Sequence, residues 1–270
     1  MTMPAGLARL MPSGTLGGRR FGRLIERNVA IYRRGWYVLA SGLFEPLFYL
    51  LGIGFGLGAL VGSVPGPDGV PIPYGVFVAP ALLASSAMNG AITEATFNFF
   101  FKLRYAKTFD AILSTPLGPL DIAIGEASWA LIRGALYATA FVAFAALLGL
   151  IVSPWAVLAI PVAVLIGFAF GAVGMAATSF FRTWQDFDLV QLVILPMFLF
   201  SGTFFPLGVY PAPVQVLIQL TPLWHAVSLE RAATLGHFEP GNLIDVLYLV
   251  AMGLVGLIVV ARRIDKLLLK

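Results

Sequence analysis

The sequence predicts an all-α integral membrane protein with six transmembrane helices, an N-terminal amphipathic interfacial helix and short re-entrant helices before the last span. Its composition is the first reason, since 59% of the 270 residues are hydrophobic, 11% are charged and the mean hydropathy is +0.92. A soluble domain carries about 25% charged residues. The second reason is a series of apolar runs long enough to cross a ~30 Å hydrocarbon layer. The third is that the basic residues lie beside those runs.

The N-terminal region divides into two parts. Residues 1–18 are rich in Gly, Pro and small side chains, which predicts a flexible segment. In residues 19–35, apolar side chains recur at helical spacing with arginines between them. This pattern predicts an amphipathic helix on the inner membrane surface, with a solvated basic arm as the alternative.

Six apolar runs follow, and each predicts one span. In the first span Glu45 precedes Pro46, which predicts a kink, and Glu45 is expected near the membrane interface. The glycines from Gly52 to Gly58 lack a following Lys-Ser or Lys-Thr, so they indicate close helix packing rather than a phosphate loop. The predicted spans cover residues 36–61, 74–101, 122–152, 155–180, 189–205 and 243–260.

Three further ionisable residues, Glu94, Glu126 and Arg133, fall within or at the ends of apolar runs. Glu126 and Arg133 are seven residues apart and share one helical face. Because an unpaired charge in a membrane is costly, we expect Arg133 to pair with Glu94 or Glu126. A proton or substrate path is the alternative.

Residues 102–121 form a charged island between two long apolar runs. Nothing else in the middle of the sequence is as well suited to meet a soluble partner. The +4 net charge does not indicate nucleic acid, because the basic residues collect beside membrane segments.

Residues 206–236 are predicted to form short helices that dip into the outer half of the protein. The apolar pieces 214–220 and 223–235 are too short to cross a bilayer and are separated by Pro222. Ser201 and His225 suggest an intramembrane protease, but the expected Gly-x-Ser-Gly is absent. The two histidines without nearby carboxylates make a poor metal site, so no metal is expected.

The distribution of Lys and Arg predicts the orientation. Fifteen of the seventeen fall before the first span, in the island, at Arg182 or in the tail, and these segments lie on one side of the predicted topology. The positive-inside rule then predicts that both termini are cytoplasmic in a multi-pass plasma (inner) membrane protein.

Two stretches resemble ABC-2 type permeases, the membrane subunits of ATP-driven exporters. Residues 201–206 read Ser-Gly-x-x-Phe-Pro, and with the later Thr-Pro-Leu at 221–223 and Arg231 they resemble the C-terminal signature of that family. Residues 109–117 are similar to its first cytoplasmic loop. Residues 98–105 resemble the nodulation-type lipo-oligosaccharide exporter permeases, with daunorubicin-type drug exporters nearby.

The resemblance implies a coupling helix in the island that docks on a separate ATPase, an outer gate in the re-entrant region, and two permeases with the transport path between them. The expected partners are two copies of an ABC-type ATPase, a second copy of this chain or a close paralogue, and membrane lipids. The implied ATPase contact comprises Arg104, Lys107, Thr108, Phe109, Asp110, Ile112, Leu113, Ser114, Thr115, Pro116 and Leu117. The implied outer gate comprises Ser201, Gly202, Phe204, Phe205, Pro206, Pro222 and Arg231.

The implied activity is export of a lipidic, glycolipid, oligosaccharide or drug-like amphipathic substrate. The sequence has no Gly-x-x-x-x-Gly-Lys-Ser/Thr, so ATP and Mg are expected on the partner subunit, with no cofactor on this chain and no enzyme activity of its own. Within the island, Phe109, Ile112 and Leu113 supply an apolar helical face and Pro116 a stop. A secondary transporter or channel working without an ATPase is the alternative function.

Overall fold

A computed structural model describes residues 21–66, 69–106, 108–115, 117 and 119–268. The predicted flexible segment 1–18, together with Lys107 and Pro116, therefore lies outside the described residues. The first helix, α1 (Phe21–Arg34), corresponds to the predicted amphipathic helix. Leu24 of α1 is buried against Gly125, where an added Cβ would come within 2.7 Å of the leucine side chain. Helix α1 is thus packed closely on the third predicted span.

The remaining elements follow the predicted order of spans and connections. The first three spans contain α2 (Trp36–Tyr49), a π-helical stretch (Leu50–Leu57), α3 (Gly58–Val61), α4 (Tyr74–Thr93), a second π-helical stretch (Glu94–Asn98), α5 (Phe99–Arg104) and, after α6 (Thr108–Leu113), α7 (Pro119–Leu147). The rest contains a 3₁₀ turn (Pro154–Leu158), α8 (Ala159–Thr178), α9 (Asp186–Phe200), a 3₁₀ turn (Leu207–Val209), α10 (Ala212–Gln219), α11 (Pro222–Leu235) and α12 (Gly241–Leu268).

Five helical runs in the described part of the chain are long and apolar enough to cross a membrane. They are Phe44–Val61, Tyr74–Lys102, Ile124–Leu147, Pro154–Thr178 and Gly241–Val260.

The fifth predicted span, 189–205, is represented by the shorter helix α9. At 1.5 Å per residue its 15 residues extend about 22 Å, less than a ~30 Å hydrocarbon layer. The helix stops at Phe200 because Gly202 adopts a positive φ of 69°, which ends the regular backbone short of the predicted residue 205.

The two ends of the molecule differ in structure. We call the end that carries α1, α6 and the last turns of α12 the base, where Leu24, Ile112 and Val260 share one apolar cluster. We call the opposite end the top. It carries the antiparallel hairpin of β1 (Ser63–Pro65) and β2 (Pro71–Pro73), together with α10 and α11.

Helix α4 is the centre of the packing, since most of its 20 residues are buried. Small residues at its contacts allow α8 and α11 to approach closely: Ala81 and Ala84 pack in one cluster with Ala169 and Ala226. A helix with a face of small side chains gains dispersion contacts that lipid cannot supply as densely.

Candidate functional site

Helix α6, the predicted coupling helix, is anchored to the base by one apolar side chain. Ile112 is only 8% exposed and packs with Leu24 of α1 and Ile122 of α7. Ile112 therefore faces the rest of the chain, and the docking role of the predicted contact stays a prediction. Hydrophobicity alone predicted an apolar face, but a six-residue helix resting on a membrane protein must bury part of that face to hold its position.

The last turn of α6 is closed by two hydroxyl groups. Ser114 Oγ donates to the Ala111 carbonyl and Thr115 Oγ1 to the Ile112 carbonyl, both at 2.6 Å. Ser114 and Thr115 are exposed, whereas Thr108 and Leu117 are half-buried. The exposed part of the predicted contact therefore includes the C-terminal end of α6.

An aromatic cluster joins the segment before α6 to the loop before α9. Trp184 lies 5.4 Å from Tyr105 and 5.5 Å from Phe100, measured between ring centroids. Phe187, at the start of α9, lies 5.2 Å from Phe100. Aromatic pairs at these separations attract each other beyond their burial. The two loops at the base are consequently packed together.

Asp186 organises the loop between α8 and α9. Its Oδ2 accepts hydrogen bonds from the backbone N–H groups of Arg182 at 2.6 Å and Thr183 at 3.0 Å. Backbone donation from Thr183, and then from Arg182, holds the pKa of the Asp186 carboxyl below its usual value. Its acceptor oxygen is thus used to fold a loop. The described part of the chain contains no group of three or more metal-ligating side chains.

An ion-pair cluster joins α5, α7 and the π-helical stretch (Glu94–Asn98) that follows α4. Of the two carboxylates expected as partners of Arg133, the structure places Glu94 against its guanidinium, while the other side of that group donates to Tyr32 Oη at 3.1 Å. Asn98 donates to the same Glu94 at 2.5 Å. Glu45, the other predicted membrane carboxylate, is exposed on α2.

Lys102 extends the cluster to Glu126. Its Nζ lies 2.5 Å from Glu126 Oε2 and 3.7 Å from Glu94 Oε1. Arg27 of α1 reaches Glu126 Oε1 at 3.4 Å. The sequence had assigned Lys102 only to the charged island, because its separation from Glu126 carries no periodic signal.

A cavity of about 680 Å³ opens beside this cluster, lined by α4, α5, α7, α8 and the last turns of α12. Towards the base its wall contains Glu94, Lys102, Glu126 and Arg133. Towards the top its wall is apolar, with Leu83, Phe141 and Ala163 among its residues. Its volume lies within the ~300–1,000 Å³ typical of ligand sites.

Arg231 ties the predicted outer gate to the centre of the protein. Its guanidinium donates to the Gly202 carbonyl at 2.6 Å and to the Phe77 carbonyl at 3.4 Å, and it lies 3.9 Å from the centroid of the Phe77 ring. Tyr74 Oη also reaches the Phe204 carbonyl at 3.2 Å. The bend after α9 is therefore attached to α4 and α11.

Ser201 is a structural residue in this bend. It is fully buried, donates to the Met197 carbonyl and lies 3.2 Å from Thr221 Oγ1, whose side chain also caps α11. Pro222 is the first residue of α11, where its fixed φ suits the first turn. Phe205 is exposed, and Pro206 precedes the 3₁₀ turn.

His225 has a partner that the sequence did not reveal. Its Nδ1 lies 2.6 Å from Asp245 Oδ1 of α12, and both side chains are buried. Tyr248 stacks on the imidazole with 4.1 Å between ring centroids. The expectation that no carboxylate lies near this histidine was wrong. The pairing depends on how α11 packs against α12, which no local pattern reports.

Replacing Arg231 by Lys is expected to slow transport strongly while leaving the chain folded. An ammonium group cannot reproduce the planar set of donors that reaches two carbonyls and covers the Phe77 ring. We expect a loss of about tenfold or more in transport rate, corresponding to ~1.4 kcal/mol, with normal size-exclusion behaviour in detergent. Wild-type transport by the Lys variant would contradict this role, and exposed Gln219→Ala on α10 serves as the control.

Helices long enough to cross a bilayer, packed around a largely apolar cavity with a small helix at the base, define an α-helical multi-pass membrane protein. Residues 19–235 match the family model described as ABC-2 type transporter, and the chain belongs to that family. Membership identifies it as a membrane protein of an ABC-type transport family.

Similar proteins cover most of its length. Nodulation protein J of Sinorhizobium fredii is 34% identical over 237 residues, which span 83% of this chain and 88% of that protein. Nodulation protein J of Rhizobium leguminosarum bv. trifolii is 36% identical over 220 residues, spanning 77% and 81%. The protein of that name in Azorhizobium caulinodans is 26% identical over 249 residues, spanning 90% and 96%.

Proposed function

We propose that this chain is the permease of an ATP-driven exporter and that a separate ABC-type ATPase supplies the energy. The family match over residues 19–235 carries this proposal. ATP and Mg bind the partner subunit, because the chain contains no phosphate-binding loop of its own. Two ATPase copies serve a pair of permeases in the plasma (inner) membrane, with the base on the cytoplasmic side.

The base supplies a physical route from the ATPase to the membrane helices. Ile112 seats α6 against Leu24 and Ile122, so a force on α6 acts on α1 and on the first turns of α7. The Trp184 cluster joins the same region to α9. A displacement of α6 thus reaches three helices through packed side chains rather than through flexible loops.

The exposed apolar surface supports pairing with a second copy or contact with lipid. Phe44, Phe48 and Leu60 of the first span are exposed, as are Leu192 and Val193 of α9. Helix α9 is short and has an exposed apolar face, and this face is suited to contact with a second protein. We propose a homodimer, or a pair with a close paralogue, in which the re-entrant helices close the outer gate.

The cavity supports an amphipathic cargo. A wall that is apolar towards the top and charged towards the base suits a molecule with a hydrocarbon part and a polar part. Lipids, glycolipids, lipid-linked oligosaccharides and drug-like amphiphiles all combine an apolar part with a polar part. The resemblance of residues 98–105 to nodulation-type exporter permeases favours the glycolipid class.

Co-purification tests the proposal directly. A tagged chain, extracted in mild detergent from its native membrane, is expected to bring down a soluble protein with a Walker-type phosphate loop in stoichiometric amount, identified by mass spectrometry. Transport by the reconstituted chain alone would overturn it. Arrest of such transport by a proton uncoupler, but not by ATP depletion, would assign the chain to secondary transporters.

A further inference from the structure

We propose that the cavity within one chain binds a single-chain amphiphile with an uncharged, hydrogen-bonding head, such as a monoacylglycerol. The head lies beside the hydroxyl groups of Ser128 and Tyr137 on α7, and the hydrocarbon chain extends towards Leu83 and Ala163 in the apolar part of the wall. The family resemblance implied a path between two permeases, whereas this site lies inside one. The site rests on the geometry of the chain, and only the origin of its ligand rests on the proposed exporter function.

The size and lining of the cavity suit one hydrocarbon chain. Its volume of about 680 Å³ has a mostly apolar wall and lies between helices long enough to cross a membrane. Because a methylene group is about as large as a water molecule, which takes ~30 Å³ of the liquid, this space holds about 20 non-hydrogen atoms. That number fits a single acyl chain with a small head, and it is too small for a phospholipid with two long chains.

The charged side chains in the wall neutralise one another. Glu94, Lys102, Glu126 and Arg133 sum to a net charge of zero. Arg133 pairs with Glu94, and Lys102 Nζ lies 2.5 Å from Glu126 Oε2. A charged head that entered the cavity would lose its water without gaining a counter-charge, which is costly at membrane depth. The charge balance therefore favours an uncharged head.

The remaining polar side chains in the wall carry hydroxyl groups. Ser86 of α4 and Ser128 and Tyr137 of α7 line the cavity, and within the described part of the chain their hydroxyl groups make no hydrogen bond. Ser128 and Tyr137 follow Glu126 and Arg133 by two and four positions, so they lie at the height of the ion-pair cluster along α7. A hydroxyl both donates and accepts, which suits the hydroxyl and ester groups of a neutral head.

Two glycines leave room for the hydrocarbon chain. Gly90 and Gly134 line the cavity, and a Cβ built on either meets no other group within 4 Å. A leucine at either position can therefore extend into the cavity, and it favours the helix more than glycine does. These positions provide variants that block the site without unfolding the protein.

The test uses photo-labelling of the full chain in phosphatidylcholine nanodiscs, without nucleotide. A monoacylglycerol with a diazirine in its acyl chain is expected to label residues of α4, α7 and α8 that line the cavity, identified by mass spectrometry. Gly90→Leu and Gly134→Leu should each lower this labelling about tenfold. Ala143→Leu, which adds the same side chain at an exposed position of α7, should leave it unchanged. Labelling that survives both glycine variants would overturn the site.

Charge selectivity is tested with an alkyl sulfonate and an alkyl trimethylammonium that carry the same photoreactive chain. Labelling of Ile132 and Leu136, which are exposed on α7 outside the cavity, corrects for the amount of each probe in the bilayer. After this correction each charged probe should label the cavity at least about tenfold less than the monoacylglycerol does. Equal labelling by either charged probe would contradict an uncharged head.

The position of the head is tested by removing hydroxyl groups while keeping the shape of the wall. The double variant Ser128→Ala with Tyr137→Phe should lower labelling by the monoacylglycerol about fivefold, because two hydrogen bonds to the head are lost. The same variant should leave the weak labelling by the alkyl sulfonate unchanged, which a general change in the fold would not do. Unaltered labelling by the monoacylglycerol would refute the placement of the head.

The outcome for the site can be separated from the outcome for the exporter. Because the assay needs no ATPase, absence of labelling in a chain that still co-purifies with an ATPase refutes the site and not the exporter. Release of the bound probe when ATP is added to the complex with its ATPase supports an exported ligand. Retention of the probe through turnover supports a resident membrane lipid at the same site.

Discussion

Replacing Leu113 by Asp is expected to abolish transport by preventing the ATPase from docking. Leu113 and Phe109 are four residues apart in α6, and this spacing predicts one apolar face for contact with a partner. A carboxylate buried in such a contact would be desolvated without a partner, which costs several kcal/mol. We expect at least ~30-fold weaker ATPase binding, equivalent to about 2 kcal/mol, measured by co-purification and by ATPase titration.

Two control variants separate docking from folding. Leu113→Met keeps the apolar character and should retain transport. Gln185→Asp adds the same charge to the exposed loop before α9 and should retain ATPase binding. Normal co-purification and transport by Leu113→Asp would show that α6 docks through another face, or that α6 is not the coupling helix.

Replacing Arg133 by Ala is expected to lower the yield of folded protein sharply. The substitution leaves Glu94, which is buried, without its principal counter-charge. Breaking a buried ion pair from one side costs about 3–5 kcal/mol, a large part of the ~5–15 kcal/mol that stabilises a typical protein. The measurements are the monodisperse yield in detergent and the thermal unfolding midpoint.

Double variants identify the partner. Arg133→Ala with Glu94→Gln should recover most of the lost yield, because the isolated charge is gone. Arg133→Ala with Glu126→Gln should not, since Glu126 pairs with Lys102 and Arg27 instead. Arg182→Ala removes an exposed arginine and serves as the control. Equal rescue by both glutamates, or by neither, would contradict the pairing in the structure.

The segment around α11 shows which features local sequence patterns can predict. The apolar piece 223–235 predicted a short helix, and the structure has Thr221 as the cap and Pro222 as the first residue of α11. Caps and proline positions depend on a few neighbouring residues, so they can be recognised in sequence. The partner of His225 could not be recognised, because Asp245 approaches it only when two helices pack.

The C-terminal end of α9 shows what hydropathy cannot predict. Hydrophobicity continues through Phe204 and Phe205, which extended the predicted span to residue 205. The backbone turns earlier, at Gly202, where Arg231 binds the carbonyl. Hydropathy records preference for an apolar environment and cannot register a turn that remains inside one.

The sequence by itself determined the membrane class, the order of its apolar segments, the amphipathic helix and the family, because these depend on composition, period and short motifs. Only the tertiary structure decided which glutamate pairs with Arg133, that Ile112 faces inward, and that a cavity opens beside Lys102. The physical reason is that periodicity shows that a helix has a buried face but not what that face meets. Contacts between residues far apart in the chain are settled by how whole helices pack.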